Sequence, residues 1–343
     1  MIVLHGGDVW QGGLPGDYLD FSANLNPEGP PKWAREAMAA GLENAVYYPD
    51  VRSAAALAGL SAHLGLPEDC LLPTSGGLEA AALAARMPFP SVAAQAGRAP
   101  GRHLVAQPTF QEYARLCGPC EDIPRDALAG RAVRPGECVW LCNPNNPTGE
   151  ALPRRSVEEL LARVEAAGGR LVVDEAFIDY CPEHSVRDLV RTHDALIVIG
   201  SLTKSLALPG IRLGWLAADP VSVARLRASL PPWRLNCVAE AVAAALPGHE
   251  ADFDAIRTLN AARRAAFAEG LAALGAGVWP SEANFLLCDF GRDMRPIAEA
   301  MRRRSILVRP CGMFPGLSHG HLRLCVRTEA ENARLIAALR EAL

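Results

Sequence analysis

Between residues 48 and 218, short uninterrupted apolar runs alternate with stretches whose apolar positions recur every three or four residues. The runs predict strands over 103–107, 137–142, 170–174, 195–200 and 212–217, and the periodic stretches predict helices over 53–64, 76–86 and 154–167. Runs such as Leu171-Val172-Val173 and Leu196-Ile197-Val198-Ile199 have no polar face, which suits a mainly parallel sheet covered by helices on both sides. Beyond Pro220 the pattern changes. Ala-rich helical stretches centred on 239–245 and 256–274 lead to strands over 284–290, 305–309 and 321–327 and a closing helix over 329–343, which predicts a second, smaller α+β domain. The first forty residues have no long partner of their own. The expected division is an N-terminal segment (1–45) packed with the small domain, a large domain (46–220), and linking helices with the small domain (221–343).

Charge narrows the function. The net charge is −4, both signs are scattered, and the densest basic run is Arg302-Arg303-Arg304, so no basic stripe exists for nucleic acid. No apolar stretch approaches the roughly 20 residues of a membrane-spanning helix. The start, Met1-Ile2-Val3-Leu4-His5, lacks the basic and long apolar segments of a signal peptide. A soluble, cytoplasmic protein without nucleic-acid or membrane partners is expected. The ten cysteines lie in apolar contexts such as Cys138-Val139-Trp140-Leu141-Cys142, as buried thiols do in a reducing compartment. Cys117-Gly118-Pro119-Cys120 has redox spacing, but residues 111–116 before it read as a helix rather than the strand that motif follows. No Cys/His cluster has metal-ligand spacing, and no metal is expected.

Only two of the 34 basic residues are lysines, Lys32 and Lys204. Arginine serves wherever charge suffices, but its guanidinium cannot condense with a carbonyl, so a retained lysine points to a need for an amine. Lys32, in Pro30-Pro31-Lys32-Trp33 at the start of an amphipathic helix, reads as a solvated charge. Lys204 follows an apolar strand in Ser201-Leu202-Thr203-Lys204, with Arg212 eight residues on. The carboxyl end of such a strand is where α/β sheets place ligands. Desolvation and nearby cations would make that amine nucleophilic, while the hydroxyls and Arg212 suit a phosphate.

Other strand ends carry matching groups. Asp174 closes the strand over 170–174 and can face a cationic ring nitrogen, although an N-cap role is the plainer alternative. Asn143-Pro144-Asn145-Asn146-Pro147-Thr148-Gly149 is a rigid turn whose amides can donate to a ligand. Thr74-Ser75-Gly76-Gly77-Leu78-Glu79 opens a helix and offers free amides to an anion, and Phe110 can stack on a planar group. An amine, a carboxylate, an amide donor, a phosphate cradle and a stacking face together describe a pyridoxal phosphate site.

Tyr48-Pro49-Asp50, the turn over 143–149, Asp174 to Phe177, Ser201 to Lys204 and Gly210-Ile211-Arg212-Leu213-Gly214 resemble the class I/II aminotransferase family of fold type I, in the right order over nearly the whole chain. The resemblance implies a large domain with a mostly parallel seven-stranded sheet between helices, plus a small α+β domain. It also implies that Lys204 carries pyridoxal 5'-phosphate as an imine, Asp174 pairs with the ring nitrogen, Asn146 donates to the ring oxygen and Phe110 stacks on the ring. Gly76, Gly77, Leu78, Ser201, Thr203 and Arg212 would surround the phosphate, with Tyr48 reaching it from the other subunit of a homodimer. Two positions depart from the pattern. Leu78 stands where many relatives carry a hydroxyl, and Phe177 stands where aminotransferases usually carry a tyrosine bonded to the ring oxygen, which counts against efficient transamination.

In His321-Leu322-Arg323-Leu324-Cys325-Val326-Arg327 the two arginines share one side of a strand, and Arg309 ends a nearby one. That much fixed charge suits a small phosphorylated amino acid, with its carboxylate and phosphate; salt bridges at a rim are the bland reading, strongest for Arg327. By resemblance Arg309 and Arg323 bind these groups, with Asn146, His5 and Asn24 assisting. His5-Gly6-Gly7-Asp8 followed by Asp20-Phe21-Ser22-Ala23-Asn24-Leu25-Asn26-Pro27 is similar to a branch of the family that decarboxylates rather than transaminates. The bond that breaks is set by a torsion at Cα, so transamination remains the alternative.

Overall fold

The computed structural model describes residues 6–10, 14–87 and 102–343. A two-residue strand, β1 (Leu19–Asp20), precedes helices α1 (Lys32–Glu43) and α2 (Ala54–Leu64). Seven strands then build one sheet: β2 (Leu71–Thr74), β3 (His103–Gln107), β4 (Cys120–Pro124), β5 (Cys138–Cys142), β6 (Arg170–Asp174), β7 (Leu196–Ser201) and β8 (Gly214–Ala217). Between them run α3 (Gly77–Arg86), α4 (Glu112–Cys117) and α5 (Arg154–Ala166). The spatial order is β2-β8-β7-β6-β5-β3-β4, with β8 antiparallel to both neighbours and every other pair parallel.

The apolar runs explain the centre of this sheet. Val172, Val173 and Leu196 through Ile199 are fully buried, each stabilising the fold by about 1.5–3 kcal/mol. Each strand expected from those runs lies in the sheet. β4 carried no comparable signal because it is an edge strand, Cys-Glu-Asp-Ile-Pro, that buries only Ile123. The Cys117–Cys120 pair joins α4 to β4, and both thiols are free. Burial pushes both thiol pKa values up, opposite to what a redox thiolate needs.

Helices α6 (Pro220–Ser229), α7 (Cys237–Ala244) and α8 (Glu250–Ala272) lead to a second sheet of β9 (Gly277–Val278), β10 (Phe285–Asp289), β12 (Arg309–Pro310) and β13 (His321–Cys325), with β11 (Ile306–Leu307), α9 (Arg295–Arg303) and α10 (Glu329–Ala342) around it. Its order is β12-β13-β10-β9, all antiparallel. β1 pairs in parallel with β11, tying the N-terminal segment to this domain. Thr328 and Glu331 form a reciprocal cap that starts α10.

The packing cuts across the expected boundaries at 45 and 220. Ala34 of α1 and Leu235, Ala239, Val242 and Ala243 around α7 belong to the large-sheet core, while Phe21, next to β1, lies in the small-domain core. α8 serves both, burying Phe253 in the first and Phe267 and Leu271 in the second. Small residues make this possible. A Cβ at Gly41 would lie 2.8 Å from the Ala241 Cβ, and one at Gly59 only 2.1 Å from the Ala243 carbonyl oxygen. Such close backbone approach leaves no periodic trace in the chain.

Candidate active site

The carboxyl ends of β5, β6 and β7 face the small-domain edge that carries Arg309 and Arg323. Between them lies a cavity of about 310 Å³, lined by Asn24, Gly77, Leu78, Phe110, Asn146, Asp174, Phe177, Ser201, Thr203, Lys204, Arg212, Arg309 and Arg323. Its charged lining, among the described residues, is one carboxylate against an amine and three guanidiniums. A cavity with that balance accepts anions.

Lys204 lies three residues past the end of β7, part of its surface open to the cavity. Burial lowers its pKa to about 8, and the Arg323 and Arg212 charges push in the same direction. At pH 7 about a tenth of this amine is therefore unprotonated, far more than for a lysine at its ordinary pKa. Lys32 by contrast is a solvated charge paired with Glu36 at 3.4 Å. Asp174 closes β6, buried; its Oδ1 accepts from the Ala176 amide at 2.9 Å and its Oδ2 from the Tyr113 hydroxyl at 2.5 Å. Burial raises the Asp174 pKa, while those two donors and Lys204 oppose the rise.

On one side, the cavity has an anion cradle. Gly76 has φ of 81°, and a Cβ there would sit 2.2 Å from Nη2 of Arg212. Only glycine lets the guanidinium lie against the amides that open α3. Ser201 Oγ and Thr203 Oγ1 are hydrogen-bonded at 2.8 Å beside Gly77. Arg212 donates to the Pro209 carbonyl at 2.9 Å and has no carboxylate salt bridge among the described residues. Leu78 adds an apolar side chain to this corner.

On the other side, Arg309 and Arg323 are partners in register across the antiparallel β12–β13 pair, both buried. Like charges directly opposite one another destabilise a sheet unless an anion lies between or beside them. Arg323 Nη1 donates to Asn146 Oδ1 at 2.5 Å and Nη2 to the Ser22 carbonyl at 2.6 Å, while Nε is buried without a partner. Burial lowers its pKa to about 10. Asn24 is buried with its Oδ1 unpartnered. Asn146 is held by its turn, in which Asn145 Nδ2 donates to the Pro108 carbonyl and to Thr148 Oγ1, both at 2.9 Å. Phe177 lines the wall without a hydroxyl, edge-on to Phe285 at 5.0 Å.

Two expected residues stand elsewhere, and a third is outside the described residues. Arg327 does not line the cavity: β13 ends at Cys325, and beyond it the guanidinium turns to the Asp20 carbonyl at 3.1 Å and Glu331 Oε1 at 2.9 Å. Tyr48 is 81% exposed, away from its own chain's cavity, with its ring tilted against that of Trp233 at 4.8 Å. His5 lies outside the described residues, although the adjacent Gly6 lines the cavity.

The cavity also includes residues that the pattern did not single out. Tyr113 sits three residues after Phe110, and that aromatic spacing at a helix start was the available signal. Ser22, Gln111 and Phe314 line the wall as well, and Gln111 Nε2 donates to the Met313 carbonyl at 2.7 Å, tying the loop that carries Phe314 to the large domain. Among the described residues no cluster of His, Cys, Asp and Glu could hold a metal, and no helix is long and apolar enough to cross a membrane.

The family model described as aminotransferase class I and II matches residues 125–339. The chain belongs to the class I and II aminotransferase family. A relative within it, threonine-phosphate decarboxylase of Salmonella typhimurium, is 33% identical over 99% of this chain and 96% of its own. Histidinol-phosphate aminotransferase of Symbiobacterium thermophilum is also 33% identical, over 95% of this chain and 91% of its own. The crystal structure of L-threonine-O-3-phosphate decarboxylase from Porphyromonas gingivalis superposes with a TM-score of 0.82 at 24% identity, covering 94% and 98% of the two chains. This class I and II aminotransferase family member thus has the fold type I architecture, with Lys204 and Asp174 at adjacent strand ends of its large sheet.

Proposed function

We propose that this enzyme uses pyridoxal 5'-phosphate to decarboxylate L-threonine O-3-phosphate to (R)-1-amino-2-propanol O-2-phosphate and CO2, a step of cobalamin biosynthesis. The buried Arg309–Arg323 pair carries this reading. Two desolvated guanidiniums beside Lys204 call for a substrate with two anionic groups, and threonine phosphate has both a carboxylate and a phosphate. Histidinol phosphate, the amino donor of the alternative aminotransferase reading, brings only one.

The residues present fit the cofactor. The amides of Gly77 and Leu78 at the start of α3, with Ser201, Thr203 and Arg212, would hold its phosphate, in a cradle that a Cβ at Gly76 would fill. Asp174 would pair with the ring nitrogen, Phe110 would cover one face of the ring, and Asn146 would reach the ring oxygen. When bound, pyridoxal phosphate supplies an aldehyde that condenses with amines and a ring that draws electrons away from the amino acid's Cα.

The chain does the rest. Lys204, with a pKa lowered to about 8, would anchor the cofactor's carbonyl group through its amine and would carry a proton at Nζ to the substrate's Cα. Asp174 would set its carboxylate beside the ring nitrogen. Arg323 with Asn146, and Arg309 with Asn24, would fix the carboxylate and the phosphate, leaving little rotation about Cα. By fixing both anionic groups these arginines would decide which bond at Cα breaks, and on this reading they favour loss of CO2 over loss of the Cα proton. Phe110, Phe177 and Phe314 restrict water. Phe177 offers no phenol to the ring oxygen, which supports the decarboxylase over the aminotransferase.

The enzyme is proposed to work as a homodimer in which Tyr48 of each subunit reaches the other's cofactor phosphate. Tyr47, Tyr48 and Val51 form an exposed apolar stretch that supports such a contact. The test of the reaction is to incubate the pure protein with threonine phosphate and no keto acid and to measure CO2. Release of CO2 is expected. No release, together with amino transfer from histidinol phosphate to 2-oxoglutarate, would replace this reading with the aminotransferase.

A further inference from the structure

Tyr113 is 1% exposed, and its hydroxyl has a defined task. It donates to Asp174 Oδ2 at 2.5 Å while the Ala176 amide donates to Oδ1 at 2.9 Å, so the two oxygens of the carboxylate are pinned by different elements, α4 and the turn after β6. The same ring packs on Trp140 at 5.2 Å and meets the Phe110 ring edge-on at 5.5 Å. Trp140 Nε1 in turn donates to His103 Nδ1 at 3.1 Å, which fixes the stack from β5 to β3. One side chain therefore touches both the carboxylate expected at the cofactor's ring nitrogen and the phenyl group expected on its face.

A phenylalanine would fill the same space between Trp140 and Phe110. What the hydroxyl adds is a hydrogen bond to a buried carboxylate, and a charge-assisted donor of this kind keeps a buried carboxylate ionised where burial alone favours its neutral form. We infer that Tyr113 is a positioning residue that holds the Asp174 carboxylate charged and in line with the ring nitrogen of pyridoxal phosphate. It touches no reacting atom and acts through Asp174. Burial of Asp174 pushes its pKa up and Tyr113 pushes it down, in keeping with this role. The inference rests on the reading of the cavity as a pyridoxal phosphate site.

The test compares wild type with Tyr113→Phe in binding two compounds: pyridoxal phosphate, and its deaza analogue in which a CH group replaces the ring nitrogen. Any general loss of folded protein weakens both compounds alike, so the ratio of the two dissociation constants isolates the contact with the nitrogen. The ratio is expected to change because the variant loses about tenfold or more in affinity for pyridoxal phosphate, the worth of one hydrogen bond to a charged group, and little for the analogue. Equal losses, or no loss for either compound, would overturn the role of Tyr113. A wild-type protein that binds neither compound would overturn the cofactor reading as well, and is thereby told apart from failure of the Tyr113 role alone.

Discussion

Gly76→Ala isolates the anion cradle. The residue has φ of 81° and ψ of 166°, a region open essentially to glycine alone, where an L side chain costs about 1–3 kcal/mol. The new Cβ would lie 2.2 Å from Arg212 Nη2 and 2.8 Å from Cζ, so the guanidinium must retreat by more than 1 Å, about the difference between 2.2 Å and an ordinary contact near 3.5 Å. The obstacle is the far end of a flexible side chain, so the fold survives at roughly the backbone cost alone. The phosphate contact does not. Losing a hydrogen bond between Arg212 and a phosphate removes about 1.5–3 kcal/mol, and each 1.4 kcal/mol is tenfold in affinity, so cofactor binding weakens by about 10- to 100-fold. Gly77→Ala is the control: its Cβ would come no closer than 3.3 Å, to Ser201 Cβ, and binding changes by a few-fold at most. The assay is titration of the cofactor-free proteins with pyridoxal phosphate, followed by absorbance, alongside their melting temperatures. Unchanged affinity in Gly76→Ala, or an equal loss in Gly77→Ala, would refute the placement of the phosphate between Arg212 and the start of α3.

Lys204 titrates near pH 8 when buried rather than near its ordinary 10.5, so the rate of pyridoxal phosphate capture should climb with pH through about 8 and level off above it, a profile read by stopped-flow absorbance. Because the folded pKa is the lower one, its contribution to the stability of the cofactor-free protein is present above about pH 10.5 and lost as pH falls through 8; Lys204→Met should flatten that part of the curve of melting temperature against pH. Gly59→Ala forces a Cβ to within 2.1 Å of the Ala243 carbonyl oxygen between α2 and α7, and should destabilise the fold by about 1–3 kcal/mol in chemical denaturation without altering cofactor affinity in the folded protein. If Tyr48 serves the other subunit, mixing inactive Tyr48→Ala and Lys204→Ala proteins under exchange conditions should restore part of the activity, since one site of each mixed dimer is whole; no recovery despite demonstrated exchange would remove Tyr48 from the partner's site.

The cofactor half of the site was legible along the chain because it hangs on strand ends. A run with no polar face is buried on both sides, its last residue sits at the sheet's edge, and in a parallel sheet those edges share one crevice. That placed Asp174 at the end of β6 and Lys204 just past the end of β7 from local pattern alone, and the pairing of these two strands makes them neighbours. The proposed substrate half needed tertiary structure. Period-two alternation put Arg323 and Arg327 on one face, but where a ladder stops depends on its neighbours: β13 ends at Cys325, opposite Phe285 of β10, and Arg327 leaves the strand to meet Asp20 and Glu331. Arg309 became the partner of Arg323 only through antiparallel pairing across an intervening loop. Tyr113 reached Asp174 because α4 packs over the sheet, and α1 joined the large core because Gly41 and Gly59 let α7 come close. Local pattern reports which face of an element is apolar. Which elements then touch, and which side chains meet across them, is decided by the packing of the whole chain.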